Sequence, residues 1–181
     1  TWRDQQTANT TTAGNQSDPD ITQLANGNLL VSWTSNDNTG PGSPTGLDVI
    51  GQIFDPLGNK IGGEIRLNQN FTADDEQDMD LAPLPGGGFI VVYEDNDAGV
   101  VSIRLDEFDA AGNFVTSNPT VVFDGAAGDP NYRNPVVAVS SATSALIVYE
   151  ETTAGAPDIV GKFYNPATDT YGAQFVLLSA S

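Results

Sequence analysis

The chain repeats itself, and this constrains its fold more than any other feature. Trp33, Tyr93 and Tyr149 each close an apolar run. Twelve residues before them stand Ile21, Leu81 and Val137; fifteen before them stand Asp18, Asp78 and Asn134. A second aromatic follows in each unit, Phe54, Phe108 and Tyr164, trailed at once by Asp55, Asp109 and Asn165. Five residues ahead of that second aromatic come Val49, Ile103 and Ile159. The two aromatics are 21 residues apart in the first unit (54 − 33) and 15 in the others (108 − 93, 164 − 149), so unit one carries a six-residue insertion between Asn36 and Leu47. The period is 60 and then 56 residues (93 − 33, 149 − 93). Several matches in one register indicate duplication, with a period at or just above the roughly 40–50 residues of propeller-type repeats.

Each unit reads as four short strands. In unit one these are residues 20–24, 29–33, 48–55 and 60–67, joined by the turn Ala25-Asn26-Gly27-Asn28, a polar loop and the turn Pro56-Leu57-Gly58-Asn59. Asn-Gly supplies positive φ cheaply and is a strong hairpin signal. Unit two reads the same way over residues 81–84, 89–93, 101–108 and 114–122, and unit three over 136–139, 145–149, 159–164 and 173–178. No window of helical length carries an apolar 3.6 period, so no helix is expected. The second strands, Phe89-Ile90-Val91-Val92 and Ala145-Leu146-Ile147-Val148, are apolar on both alternating sets. A strand apolar on both faces belongs between two layers. The expected fold is therefore all-β: three four-stranded antiparallel meander units of about 56 residues, β-propeller-like. Residues 18–70, 71–124 and 125–181 form the units, and residues 1–17 are read as the end of a preceding one. Closed propellers have four to eight blades. Three units call for a homo-oligomer, for further repeats in a longer parent chain, or for open stacking of the units.

Composition removes whole classes of chemistry. With 24 acidic residues against 6 basic ones the formal charge is −18, and there is no Cys and no His. Zinc sites built on Cys and His, disulfides and Ser-His-Asp catalysis are excluded. So negative a chain repels phosphate backbones, which argues against a nucleic-acid partner. The longest apolar runs, such as residues 89–93, have strand length, far short of a membrane-spanning helix.

The repeat also resembles a known type. Leu24-Ala25-Asn26-Gly27-Asn28-Leu29-Leu30-Val31-Ser32-Trp33, then Gly51-Gln52-Ile53-Phe54-Asp55-Pro56-Leu57-Gly58-Asn59, then Gly63-Glu64-Ile65-Arg66-Leu67-Asn68 resemble repeats found in tandem in very large secreted bacterial proteins of the haemolysin (RTX) type. Residues 84–93 and 108–113 repeat the pattern. Unit three departs from it, with residues 140–143 in place of the Gly turn and Asn165-Pro166-Ala167-Thr168 in place of Asp-x-x-Gly. The Gly-rich calcium nonapeptide of RTX β-rolls is absent, so that calcium mechanism does not carry over. The resemblance implies a secreted or cell-surface location.

Three sets of residues are candidates for chemistry. Asp55/Gly58/Asn59 and Asp109/Gly112/Asn113 read as turns, with Asp capping its own backbone and Gly in the left-handed position. The acidic segments after the first aromatic, with Asp37, Asp95 and Asp97, and those before the first strand, with Asp18, Asp20, Asp78 and Asp80, are rich in the oxygen donors that calcium takes. Trp33, Tyr93 and Tyr149 are candidate platforms for sugar stacking, weighed against simple core packing. The expected role is a non-catalytic adhesion or structural module, calcium-stabilised, with a glycan or protein partner and no membrane insertion. The alternatives are a lectin-like propeller and a propeller glycosidase using two carboxylates. Calcium in the acidic segments predicts a higher unfolding midpoint in calcium than in chelator; equal midpoints remove it.

Overall fold

The computed structural model describes residues 5–37, 46–69, 75–97, 99–115, 120–121, 131–152 and 156–178, and all regular secondary structure in them is β-strand. Strands β1 (Gln16–Gln23), β2 (Leu29–Ser35), β3 (Asp48–Phe54) and β4 (Lys60–Arg66) form the first sheet in the order β1-β2-β3-β4. Strands β5 (Asp75–Pro83), β6 (Phe89–Asp97), β7 (Val100–Phe108) and β8 (Thr120–Val121) form the second in the same order. The third holds β9 (Asn131–Ser141), β10 (Ser144–Thr152) and β11 (Asp158–Asn165). There the fourth place is shared by β12 (Thr170–Tyr171) and β13 (Phe175–Leu178), both antiparallel to β11. Each unit is thus an antiparallel meander.

The turns are chemically specified. Asp55 Oδ1 accepts from the amides of Leu57 (2.9 Å) and Asn59 (2.8 Å), and Asn59 Nδ2 donates back to Asp55 Oδ2 at 2.6 Å. Asp109 repeats this with Ala111 (2.8 Å), Asn113 (2.9 Å) and Asn113 Nδ2 (2.8 Å). Gly88 has φ +85°, and a Cβ there would sit 2.2 Å from the Phe108 carbonyl oxygen, so only glycine fits.

The sheets stack face to face. On β6, Phe89, Val91 and Tyr93 face the first sheet, where they join Leu24, Leu30, Val49, Ile53 and Leu67 in one core. The alternate residues Ile90 and Val92 face the third sheet and join Val137, Ile147, Tyr149 and Val160 in a second core. Both cores are dry: Phe89, Ile90, Val91, Val92 and Tyr93 are each 0% exposed. Burying one such side chain is worth about 1.5–3 kcal/mol, against about 0.5–1.5 kcal/mol net for a ladder hydrogen bond. Stacking therefore holds the sheets in place, and pairing sets their register. Of the two doubly apolar second strands, β6 lies between two layers, as its sequence demands, whereas β10 packs its Ala145, Ile147 and Tyr149 side on the second sheet and leaves Leu146 and Val148 outside both cores.

Two sequence expectations change here. The strands start earlier than expected: residues 75–80 lie inside β5, and Glu94-Asp95-Asn96-Asp97 lie inside β6 rather than in a loop. The acidic runs remain extended because their amides pair across the sheet, Asp75 with Asn96 and Glu76 with Asp95. Of residues 1–17, read as the end of a preceding unit, residues 1–4 fall outside the described residues. From residue 5 to 15 the chain has no strand and is tied to the first sheet, with Lys60 Nζ donating to the Asn9 carbonyl (3.0 Å) and Thr11 Oγ1 to Glu64 Oε2 (2.5 Å).

Candidate functional site

The innermost strands β1, β5 and β9 lie side by side where the three sheets converge. Each carries a bulge at the same place, between Ser17 and Asp20, between Gln77 and Asp80, and on β9 opposite the Val148/Glu150 step of β10. At each bulge one residue is left-handed: Asp18 (φ 51°), Asp78 (φ 48°) and Asn134 (φ 53°). Asp and Asn tolerate this region better than other non-glycine residues, yet such conformations cost on the order of 1–3 kcal/mol each and concentrate at functional sites. These are the residues that recur fifteen positions before the first aromatic. The repeat therefore preserves a strained backbone, not merely a polar side chain.

Residues 18–20, 78–80 and 134–136 line an open cavity of about 370 Å³ at this convergence. It holds four carboxylates, Asp18, Asp20, Asp78 and Asp80, with apolar Pro19, Met79 and Pro135 between them. Their surroundings differ. Asp80 Oδ2 accepts the Val137 amide at 2.6 Å, and burial, reinforced by the charge of Asp20, holds its pKa above the ordinary range. Asp20 Oδ1 accepts a local bond, from the Ile21 amide at 2.7 Å. Behind the cavity, Glu94 accepts the Asn134 amide at 2.7 Å and faces the Arg133 guanidinium at 3.7 Å; burial raises its pKa too.

The remaining candidates lie elsewhere. Asp37 is buried beyond the end of β2, its amide bonded to Ser35 Oγ at 3.2 Å. Asp95, expected as an open calcium ligand, is buried and paired with Arg104 Nε at 2.6 Å. The Asp97 side chain lies outside the described residues. The seven acidic candidates thus separate into the cavity group and scattered positions, and among the described residues no three acidic groups are gathered to hold a metal ion.

The aromatic candidates need correction as well. Tyr93 and Tyr149 are 0% and 1% exposed. Tyr93 donates to Asp106 at 3.1 Å, and Tyr149 donates to Gln174 Oε1 at 2.9 Å with its ring edge-on to Tyr132. Trp33 is 6% exposed and, with Ala8, Asn9 and Gln16, walls a small cavity of about 170 Å³. The rings of Tyr93 and Tyr149 are packed between layers and offer sugars no platform; a ring that ends an apolar strand is drawn inward by its own area.

A polar cluster that the sequence did not announce lies between the first two sheets. Asn68 Nδ2 donates to Asp48 Oδ1 (2.9 Å) and to Glu76 Oε2 (2.6 Å). Asp106 Oδ2 accepts from Tyr93 and from the Gln69 amide (2.8 Å). Glu76 is fully buried, and burial, with the charges of Asp48 and Asp95, pushes its pKa up to about 9. It is therefore protonated at neutral pH, which allows so many carboxylates to share an interior. Strand alternation was the signal that pointed Glu76 inward, but polarity masked it.

The sequence matches no family model and no curated protein. Similar folds do exist among solved structures. One is the Penicillium chrysogenum α-L-arabinanase complexed with arabinobiose, with TM-score 0.61 and 13% identity over 91% of this chain and 50% of that one. Another is the endo-arabinase from Bacteroides thetaiotaomicron VPI-5482, with TM-score 0.55 and 12% identity over 84% and 57%. The chain spans about half the length of these structures, and the likeness is one of fold: a β-propeller-like stack of sheets. It overturns the expectation of a non-catalytic adhesion module, since the solved proteins sharing the architecture are arabinanases. Asp20 and Asp80 sit on ordered strands, and their environments are unequal.

The raised pKa of Glu76 carries a sign. Its folded value, about 9, lies above the unfolded value of 4.5. The stability it contributes is complete below pH 4.5 and is lost as pH rises through 9. Glu76→Gln keeps the neutral shape and should flatten the decline in denaturant midpoint over that window; an unchanged slope shows that Glu76 is ionised in the fold.

Proposed function

We propose that this chain is the carboxylate-bearing part of a propeller glycoside hydrolase that works on a polysaccharide in the cavity where its inner strands converge. The observation that carries the reading is the pairing of Asp80 with Asp20 across one cavity in unlike environments. Two carboxyl groups whose surroundings separate their proton affinities are what glycoside cleavage needs. Asp80, disfavoured as an anion by burial and by Asp20, keeps its proton longer and serves as the general acid. It gives that proton to the glycosidic oxygen as the bond to the anomeric carbon breaks. Asp20 supplies the second carboxylate, which accepts a proton from the attacking water. Positive charge on the sugar ring in the transition state is stabilised by Asp18 and Asp78. Pro19, Met79 and Pro135 give the ring faces apolar surface, and Asn134 offers an amide to hydroxyls. The fold likeness to arabinanases makes arabinose polymers the first substrates to try.

The test is release of reducing ends from arabinan and a panel of other polysaccharides. The reading predicts turnover on at least one, lowered by about 10²-fold or more in Asp80→Asn and in Asp20→Asn, with oligosaccharide binding kept by Asp80→Asn. Its pH profile should lose activity on the alkaline side at a pH above that expected of an ordinary aspartate. No turnover on any polymer, or full activity in Asp80→Asn, overturns it.

A further inference from the structure

The third sheet is tied to the second through the open edge of its innermost strand. β9 ends its sheet, so the amides on that edge meet no strand of the same sheet. Two of them are taken by carboxylates of the second sheet instead. Glu94 Oε1 accepts the Asn134 amide at 2.7 Å, and Asp80 Oδ2 accepts the Val137 amide at 2.6 Å. The bulge lies between these two points. Val136 pairs with Val148 and Arg133 with Glu150, which leaves Asn134 and Pro135 together opposite Tyr149. A bulge leaves a residue outside the ladder, and of this pair only Asn134 has an N–H to satisfy, because proline has none. Glu94 takes it from behind: it is 1% exposed and forms no wall of the cavity. The repeat shows that this link is particular to Glu94. Thr34, Glu94 and Glu150 hold the same place, directly after the first aromatic. Thr34 pairs with Ser17 on β1 as Glu94 pairs with Gln77 on β5. Thr34 is buried too, at 2% exposed, yet its Oγ1 has no hydrogen-bond partner. Among the described residues, the bulge of β9 is thus held by a carboxylate from the preceding sheet, and the bulge of β5 has no such partner in Thr34.

We propose that Glu94 is a positioning residue of the cavity: by accepting the Asn134 amide it fixes the left-handed bulge of β9, and so sets Asn134 toward a bound ligand and the Val137 amide against Asp80. Asn134 and Asp80 line the cavity, and Glu94 acts on both without touching what they hold. Asn134 has φ 53°, a conformation that persists only where its surroundings enforce it. Glu94 is itself steadied by Gln77 and by the half-exposed Arg133 guanidinium, 3.7 Å from its Oε2, against the charge of Asp78. The consequence for turnover rests on the reading of Asp80 as the general acid; the consequence for the backbone does not.

Hydrogen exchange of single amides, followed by NMR in the whole chain, tests the role. In the wild type the Asn134 and Val137 amides should be protected although they lie on an open edge. Glu94→Ala should speed exchange at both by about 10-fold or more, the worth of a hydrogen bond to a carboxylate. That change should exceed the one at Ile90 and Val92, whose exchange follows global unfolding. Glu94→Gln, whose side-chain carbonyl can accept the same amide, should restore protection, and Thr34→Val should alter neither amide. On any polysaccharide that is turned over, kcat should fall by about 10²-fold in Glu94→Ala, as a displaced acid implies, and recover in Glu94→Gln. An unprotected Asn134 amide in the wild type overturns the inference, even where Glu94→Ala fails to fold. So does an equal change at all four amides, a change at Asn134 that spares Val137, full kcat in Glu94→Ala, or a Glu94→Gln as impaired as Glu94→Ala. The expected exchange pattern without turnover on any polymer supports the role of Glu94 and overturns the hydrolase reading alone.

Discussion

Everything in this protein depends on one contact, the apolar face of a four-stranded sheet laid against the next. The second sheet makes that contact twice. Its strand β6 sends Phe89, Val91 and Tyr93 one way and Ile90 and Val92 the other, all of them sealed from water. Isolated four-stranded meanders of this size bury too little to hold together alone; stacking gives each a partner and converts three marginal sheets into one structure. The same contact converges the inner strands and so creates the cavity at their meeting point.

Charge is managed within that frame. A strongly acidic chain would be expected to keep its carboxylates in solvent, yet Asp48, Glu76, Glu94, Asp95 and Asp106 are all buried. They survive there by different means. Asp95 has the Arg104 guanidinium, Asp106 accepts a tyrosine hydroxyl and an amide, and Glu76 holds a proton. The cavity carboxylates are only partly withdrawn from water. That difference separates groups that hold sheets together from groups open to a ligand.

The architecture was legible in the primary structure because its two strongest signals are local: a repeated aromatic with fixed offsets, and strands apolar on both faces. Asp55 and Asp109 were legible as turn residues for the same reason. The site was legible only in part. Asp18, Asp78 and Asn134 were visible as a recurrence, but the recurrence could not say that the backbone bulges there into a left-handed conformation. Asp20 and Asp80 were read as cation ligands because sequence shows carboxylate density and not the burial and the Val137 amide that set the surroundings of Asp80. The aromatics misled, since Trp33, Tyr93 and Tyr149 serve equally well as stacking platforms or as wedges until burial is known. Asp48 escaped notice, and Glu76 stood out only as one member of an acidic run, because inward-facing acids look, in one dimension, like solvated ones.

Amide hydrogen exchange resolved along the chain tests the central claim directly. If stacking on both sides holds β6, its amides from Ile90 to Tyr93 exchange the slowest in the molecule, at the rate of global unfolding, while those of β4, exposed at Lys60 to Gly63, exchange by local opening. Equal protection of β6 and β4 would contradict the account, because it would mean that hydrogen-bonded pairing rather than the two apolar faces of the middle sheet carries the stability.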